Sequence, residues 1–206
     1  MGKRQEAALL TRQNIIDAMR TLLEEKSADC ISIEDITTKA SVAKGSFYTY
    51  FKRKEDVISV IALEQYDVIK EMIMHSTDSV YEQLSLYLKY SAEIIEKNTL
   101  QIAQNWMKSV TAPLPSETTG IEKYNYDRDN MKAVLQKAIE KNEMTADTPI
   151  NELTECIMNI YYGAVASWCI TQGTVKLAES INHFCDFALK EILKNYLVVK
   201  PNLQVM

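Results

Sequence analysis

Apolar residues recur at intervals of three and four along nearly the whole chain, and little interrupts them: 206 residues contain five Gly and four Pro. A sandwich or barrel needs a turn signal about every 8–12 residues. This punctuation is too sparse for either, and an all-α fold of about nine helices is expected. Ile15, Ile16, Met19, Leu22 and Leu23 define a first helix over Leu9–Glu25. Ser32 with Asp35 three residues on reads as a capping box for a short helix, Ile33–Ala40. A break at Ser41-Val42 precedes a second short helix, Lys44–Tyr50. Glu55 and Asp56 suit the positive end of a long helix reaching about His75. Asp78 reads as the cap of Val80–Glu96, and Leu100–Val110 follows. Thr111–Gly120, with Pro113, Pro115 and Gly120, is the clearest loop. Beyond it come Ile121–Asn142, then a helix to Gln172 with Thr148 as cap and Pro149 in its first position. Val175–Val199 closes the fold, with Pro201 as its stop.

The net charge of −5 would ordinarily argue against a nucleic-acid partner. Its distribution argues otherwise. Residues 1–55 hold ten Lys/Arg against eight Asp/Glu, and the remainder holds thirteen against twenty. Between Lys39 and Lys54 there are five basic residues and no acid. A small basic head therefore precedes an acidic body.

Cys30, Cys156, Cys169 and Cys185 form no C-x-x-C pair, and no secretory signal precedes them. They read as reduced thiols of a cytoplasmic protein. Residues 156–175 are uncharged for 20 positions, about the length of a membrane span. Asn159, Ser167, Thr171, Gln172 and two Gly make that stretch too polar for one, so a buried interface helix is expected and no membrane partner.

The segment SIEDITTKASVAKGSFYTYFKRKEDV, residues 32–57, is two short helices joined by a tight turn. Ile33, Ile36, Ala40, Val42 and Phe47 would hold the pair at a fixed angle. The second helix presents Lys44, Gly45, Ser46 and Thr49, small or hydrogen-bonding groups fit for base edges in a major groove. Tyr48, Tyr50, Lys52, Arg53 and Lys54 supply the hydroxyls and cations that take phosphates.

In its Ile-x-x-Ile helix, short turn, Lys44-Gly45-Ser46-Phe47-Tyr48, Tyr48-x-Tyr50-Phe51 and Lys54-Glu55-Asp56, this segment resembles the DNA-binding motif of the tetracycline-repressor (TetR) family. The resemblance runs from about Arg12 to Ile61, a quarter of the chain. It implies a helix-turn-helix head over 1–54 and a ligand-binding and dimerisation body over 55–206. It also implies a regulator, a repressor released from a palindromic DNA operator by a small, mostly apolar inducer. Lys44, Ser46 and Thr49 would read bases, with Gly45 allowing close approach; Tyr48, Tyr50 and Lys54 would hold phosphates, with Ser32 and Arg53 beside them. The chain departs from the family at four places. Ser27 and Ser41 stand where Gly is usual, and a left-handed backbone there costs about 1 kcal/mol. Ala43 stands where a Ser cap is common, and Arg53 replaces a small polar cap.

In the body, Ile157, Tyr161 and Ala164 lie on one terminal helix, and Leu177, Ile181, Phe184, Ala188 and Ile192 on the other. Stripes this broad predict a four-helix interface in a homodimer, with intramolecular core as the alternative. Two heads on a palindrome about 34 Å apart would also remedy the weak grip of one. Tyr66, Tyr87, Tyr90, Trp106, Met107, Tyr126, Met131, Tyr162 and Trp168, with Met72, Tyr81 and Tyr124, are residue types that line an apolar pocket. The body's twenty acids leave room for a cationic lipophile, and the ligand itself is not readable.

Catalysis finds no motif: no Ser-His-Asp or phosphate-loop pattern accompanies His75 and His183. Glu179, His183 and Asp186 share one helix face, which a solvated surface explains as well as a metal. No enzyme, cofactor or metal is expected. The alternative is a DNA-binding protein of the same fold controlled by a protein partner, or architectural, without an inducer.

Overall fold

The computed structural model describes residues 2–98, 100–111 and 119–198. The head comprises α1 (Lys3–Glu25), a 3-10 turn (Ala28–Cys30), α2 (Ile33–Lys39) and α3 (Lys44–Tyr50). The body comprises α4 (Lys54–His75), α5 (Val80–Lys97), α6 (Leu100–Thr111), α7 (Thr119–Glu140), α8 (Ile150–Ile170), α9 (Leu177–Phe184) and α10 (Lys190–Lys194). A π turn, Cys185–Leu189, joins α9 to α10. Cys185 and Lys190 keep right-handed helical backbone, so the two form one rod, the ninth among the described residues.

Several boundaries differ from expectation for local reasons. α1 begins at Lys3 rather than Leu9, since residues 3–8 contain neither Gly nor a β-branched side chain to stop it. Ser79, not Asp78, caps α5: its Oγ accepts from Glu82 N, while Glu82 Oε2 accepts from Ser79 N at 2.9 Å. Pro149 is itself the cap position of α8, and the Thr148 hydroxyl donates instead to Thr145 O at 2.6 Å. Gly120 falls inside α7. Residues 112–118 of the expected loop, and Val199 and Pro201 at the expected stop, lie outside the described residues.

Two apolar cores result. Ile15, Ile16, Met19 and Leu22 of α1, Ile36 of α2 and Phe47 and Phe51 around α3 meet Val57, Ile58 and Ile61 of α4. The larger core gathers Tyr66, Ile69 and Ile73 of α4 with α5, α7, α8 and α9. The packing thus divides within α4, between Ile61 and Tyr66, rather than at its first residue. α4 is shared, and Ile102 of α6 also packs on the head core. No helix among the described residues is long and apolar enough to cross a membrane.

Candidate nucleic-acid interface and body cavity

The head is built to hold α3 outward. Phe47 is wholly buried and packs edge-on to Tyr48 and tilted against Phe51, centroids 5.6 and 5.9 Å away. One turn of helix around that anchor leaves Lys44, Gly45, Tyr48 and Thr49 exposed and Ser46 and Tyr50 half-buried. The Thr49 hydroxyl donates to Gly45 O at 3.2 Å, within α3. Ala43 caps α3 with no side-chain bond.

The turn before α3 requires Ser41 at φ 54°, the left-handed region. Ser27 sits at φ −64° and carries no such strain, because a 3-10 turn follows it. At α2, Ser32 Oγ accepts from Asp35 N at 3.1 Å and Asp35 Oδ2 accepts from Ser32 N at 2.9 Å. These bonds, together with Lys26, hold the Asp35 carboxyl down at about 2. At α4, Asp56 Oδ2 accepts from both Lys52 N and Arg53 N at 2.9 Å, which supplies the cap that Arg53 cannot.

Lys54 differs from its expected role. Its ammonium donates to Ala28 O and Ile31 O, each at 2.8 Å. Ala28 O closes the 3-10 turn and Ile31 O follows it, and the ammonium binding both ties α4 to the head instead of standing free for a phosphate. Lys44, Lys52 and Arg53 remain exposed, and α1 adds Arg12, its guanidinium 5.3 Å from the Phe51 ring centroid.

Residues 15–61 match the family model of bacterial regulatory proteins of the tetR family. The head is therefore that of a TetR-family regulator. The chain is a DNA-binding transcriptional regulator with a helix-turn-helix head. Over 147 residues it is 29% identical to the Escherichia coli "Transposon Tn10 TetC protein", covering 69% of this chain and 72% of that protein. Over 210 residues it is 21% identical to the "Probable acrEF/envCD operon repressor" of E. coli K12, covering 97% and 95%. Thermus thermophilus FadR, solved in complex with lauroyl-CoA, shares the fold at a TM-score of 0.65 and 17% identity, over 93% of this chain and 97% of that one.

In the body, a cavity of about 540 Å³ opens between α4, α6, α7 and α8. Four of the expected pocket residues line it: Tyr66, Trp106, Tyr126 and Tyr162. Trp106 stacks on Tyr162 at 5.4 Å, and Tyr124 lies 5.2 Å from the same ring. Tyr87, Met131 and Trp168 are buried in the core, Tyr90 and Met72 are exposed, and Met107 and Tyr81 pack against the core away from the cavity wall. Helical spacing gives these residues the same pattern, and only the crossing of the helices separates wall from core.

Behind the wall formed by Lys123 and Tyr162 lies a buried carboxylate that is not among the residues expected from sequence. Asp127 is the one charged residue among the described residues that is wholly buried. Tyr87 OH donates to its Oδ1 and Tyr162 OH to its Oδ2, both at 2.5 Å, and Lys123 Nζ donates to both oxygens. The Lys123 ammonium also stands 3.8 Å over the Tyr66 ring and lines the cavity. Burial pushes Lys123 down from its ordinary pKa against the pull of Asp127, and pushes Tyr66, Tyr87 and Tyr162 up, so all three phenols stay neutral. The available signal was Lys123-x-x-x-Asp127, a helical pair set among Tyr124 and Tyr126.

The expected dimer stripe also needs correction. Ile157, Tyr161, Leu177 and Ile181 are wholly buried within one chain, and Phe184 nearly so. Ala164, Ala188 and Ile192 are half-buried against the same core. Ile160 and Ile170 on α8 and Phe187 in the π turn face outward instead, with Ile170 77% and Phe187 80% exposed. A stripe rich enough to bury against a neighbour inside the chain satisfies the same spacing rule as one facing a second chain. Glu179 and His183 are exposed, and Asp186 pairs with Lys89 at 3.2 Å. Among the described residues no three His, Cys, Asp or Glu side chains gather as a metal site would require.

Proposed function

We propose that the protein is a homodimeric repressor that holds a palindromic operator with two copies of α3 and releases it when a small, mostly apolar molecule enters the body cavity. The observation that carries this reading is the reach of the cavity: it runs from Tyr162 to Arg53, Glu55 and Asp56 in the first turn of α4. The same helix contributes Val57, Ile58 and Ile61 to the head core. A ligand seated there touches the element on which the head is mounted. To act, it must prefer the released state; a 10²-fold preference is worth about 2.7 kcal/mol.

Lys44, Ser46 and Thr49 read bases, Gly45 admits the groove edge, and Tyr48, Tyr50, Lys52 and Arg53 take phosphates, with Ser32 at the start of α2 beside them. The exposed apolar side chains Ile160 and Ile170 of α8 and Phe187 of the π turn all lie on the last two rods, and a second chain packed there two-fold would cover them. The fold shared with an acyl-CoA-bound repressor supports a ligand in the body.

Selection of bound DNA from a random pool by the purified protein tests the reading. A palindromic consensus is expected, and Lys44→Ala should change the preferred base at one position by about 1–3 kcal/mol. A uniform loss over all sequences removes Lys44 from the base readers. Phe187→Asp should yield a monomer in sedimentation and lose the palindrome.

A further inference from the structure

We infer that the body cavity selects electrically neutral aromatic ligands, because the Lys123 ammonium on its inner wall is neutralised by the buried Asp127 carboxylate behind it. This rests on the reading of the cavity as a ligand site and gives its ligand a chemical class. The Asp127 carboxylate commits both oxygens to Lys123, Tyr87 and Tyr162. The Lys123 ammonium is held by that carboxylate and by the face of Tyr66. An anionic ligand can reach Lys123 only by drawing it from Asp127, which leaves a buried carboxylate unpaired. A cationic ligand can reach Asp127 only by displacing Lys123, and the Tyr66 face it would otherwise use is already occupied. Unpaired charge in so dry a place is strongly unfavourable. A neutral molecule disturbs neither.

The walls favour the same class. Trp106 and Tyr162 present stacked aromatic surface, and Ile58, Leu63, Ile102 and Val165 complete an apolar shell. The hydroxyls of Tyr162 and Tyr126 are committed, to Asp127 and to Asp67. That of Tyr66 makes no hydrogen bond among the described residues and is available to one polar group on a ligand. Arg53, Glu55, Asp56 and Glu122 also line the cavity, with both signs of charge and Arg53 paired to Asp56 at 3.7 Å, so they favour neither ion as the sole occupant. At about 540 Å³ the cavity admits a drug-sized molecule.

The test uses three probes with one body: 4-biphenylmethanol, 4-biphenylcarboxylate and 4-biphenylmethylammonium, titrated calorimetrically into the full chain at neutral pH without DNA. The alcohol is expected to bind at least about tenfold more tightly than either ion. Lys123→Met should turn the preference to the ammonium, and Asp127→Asn to the carboxylate. The double variant K123M/D127N removes both charges together and should restore the alcohol's lead, which guards against a single variant that fails to fold. Tighter binding of either ion by the unaltered chain overturns the inference, as does an equal change for all three probes in both single variants. Failure of every probe to bind overturns the ligand-site reading and takes this inference with it. Alcohol preference without release of DNA breaks the proposed repression mechanism alone.

Discussion

In the head, the groups offered to a partner stand on the outside of a seven-residue helix, and one buried phenylalanine holds them there. In the body, the groups offered to a partner line an interior space, and one of them, Lys123, is paired with a buried carboxylate behind the wall. The first arrangement keeps its polar groups in water until DNA replaces that water, so charge costs little and is abundant. The second must satisfy each polar group within the chain, so charge is rare and comes paired. On the proposed reading specificity differs accordingly: the head selects by what it presents, the body by what it cannot leave unpaired.

The largest effects should come from the two buried anchors. Phe47→Ala removes the centre of the head core and is expected to lower stability by about 3–5 kcal/mol in denaturant unfolding. DNA binding should vanish while the body stays folded; a head that keeps binding after this truncation would mean α3 is held by something other than the ring. Asp127→Ala strands Lys123 in the body and should cost a comparable 3–5 kcal/mol, roughly, with DNA affinity of the surviving folded protein little changed. Equal damage to both sites from either variant would break the comparison, since it would mean the two cores unfold as one.

A middle-sized effect should separate two neighbouring lysines. Replacing Lys54 by Met removes two bonds from an ammonium to carbonyls, at about 1.5–3 kcal/mol of head stability. It should leave the slope of log affinity against log salt unchanged. Lys52→Met should do the reverse, lowering that slope by about 0.9 per head with stability unmoved. A salt slope that falls with Lys54→Met returns that residue to the phosphate contacts.

Smaller still, Ser41→Gly relieves a left-handed backbone and should raise thermal stability by about 0.5–1 kcal/mol. No gain would show the turn to be unstrained. Last, the Asp35 carboxyl titrates at about 2 in the folded chain, below its ordinary 3.8. Its folded pKa is depressed, so its stabilising contribution is present above about pH 4 and lost as pH falls through about 2. Asp35→Asn should flatten that part of the acid-unfolding profile, and an unaltered profile would remove this capping box from the head's acid sensitivity.

The head was largely legible from residue order because its determinants are local. A cap three residues from its partner, a helix of two turns and a run of cations each act within one or two turns, and the capping box at Ser32 and Asp35 stands as the spacing indicates. Even there, Lys54 escaped, because its partners Ala28 and Ile31 lie more than twenty residues earlier and only the folded turn brings them close. In the body the helices were legible and their faces were not. Ile157 and Ile160 are three residues apart on α8; one is wholly buried in the chain and the other is exposed. Periodicity reports that a helix has an apolar side. It does not report how many neighbours that side meets.

Residue order by itself therefore determined the all-helical class, the basic helix-turn-helix head and that head's likeness to the TetR family. Tertiary structure alone decided that Asp127 neutralises Lys123 behind a cavity wall, that Tyr66 and Tyr162 line that cavity while Tyr87 and Met131 do not, and that Ile170 and Phe187 face outward. The physical reason is range. Helix formation and capping are settled by bonds across three or four residues, whereas a cavity wall and an outer face are settled by where rods cross, and those crossings join residues up to about a hundred positions apart.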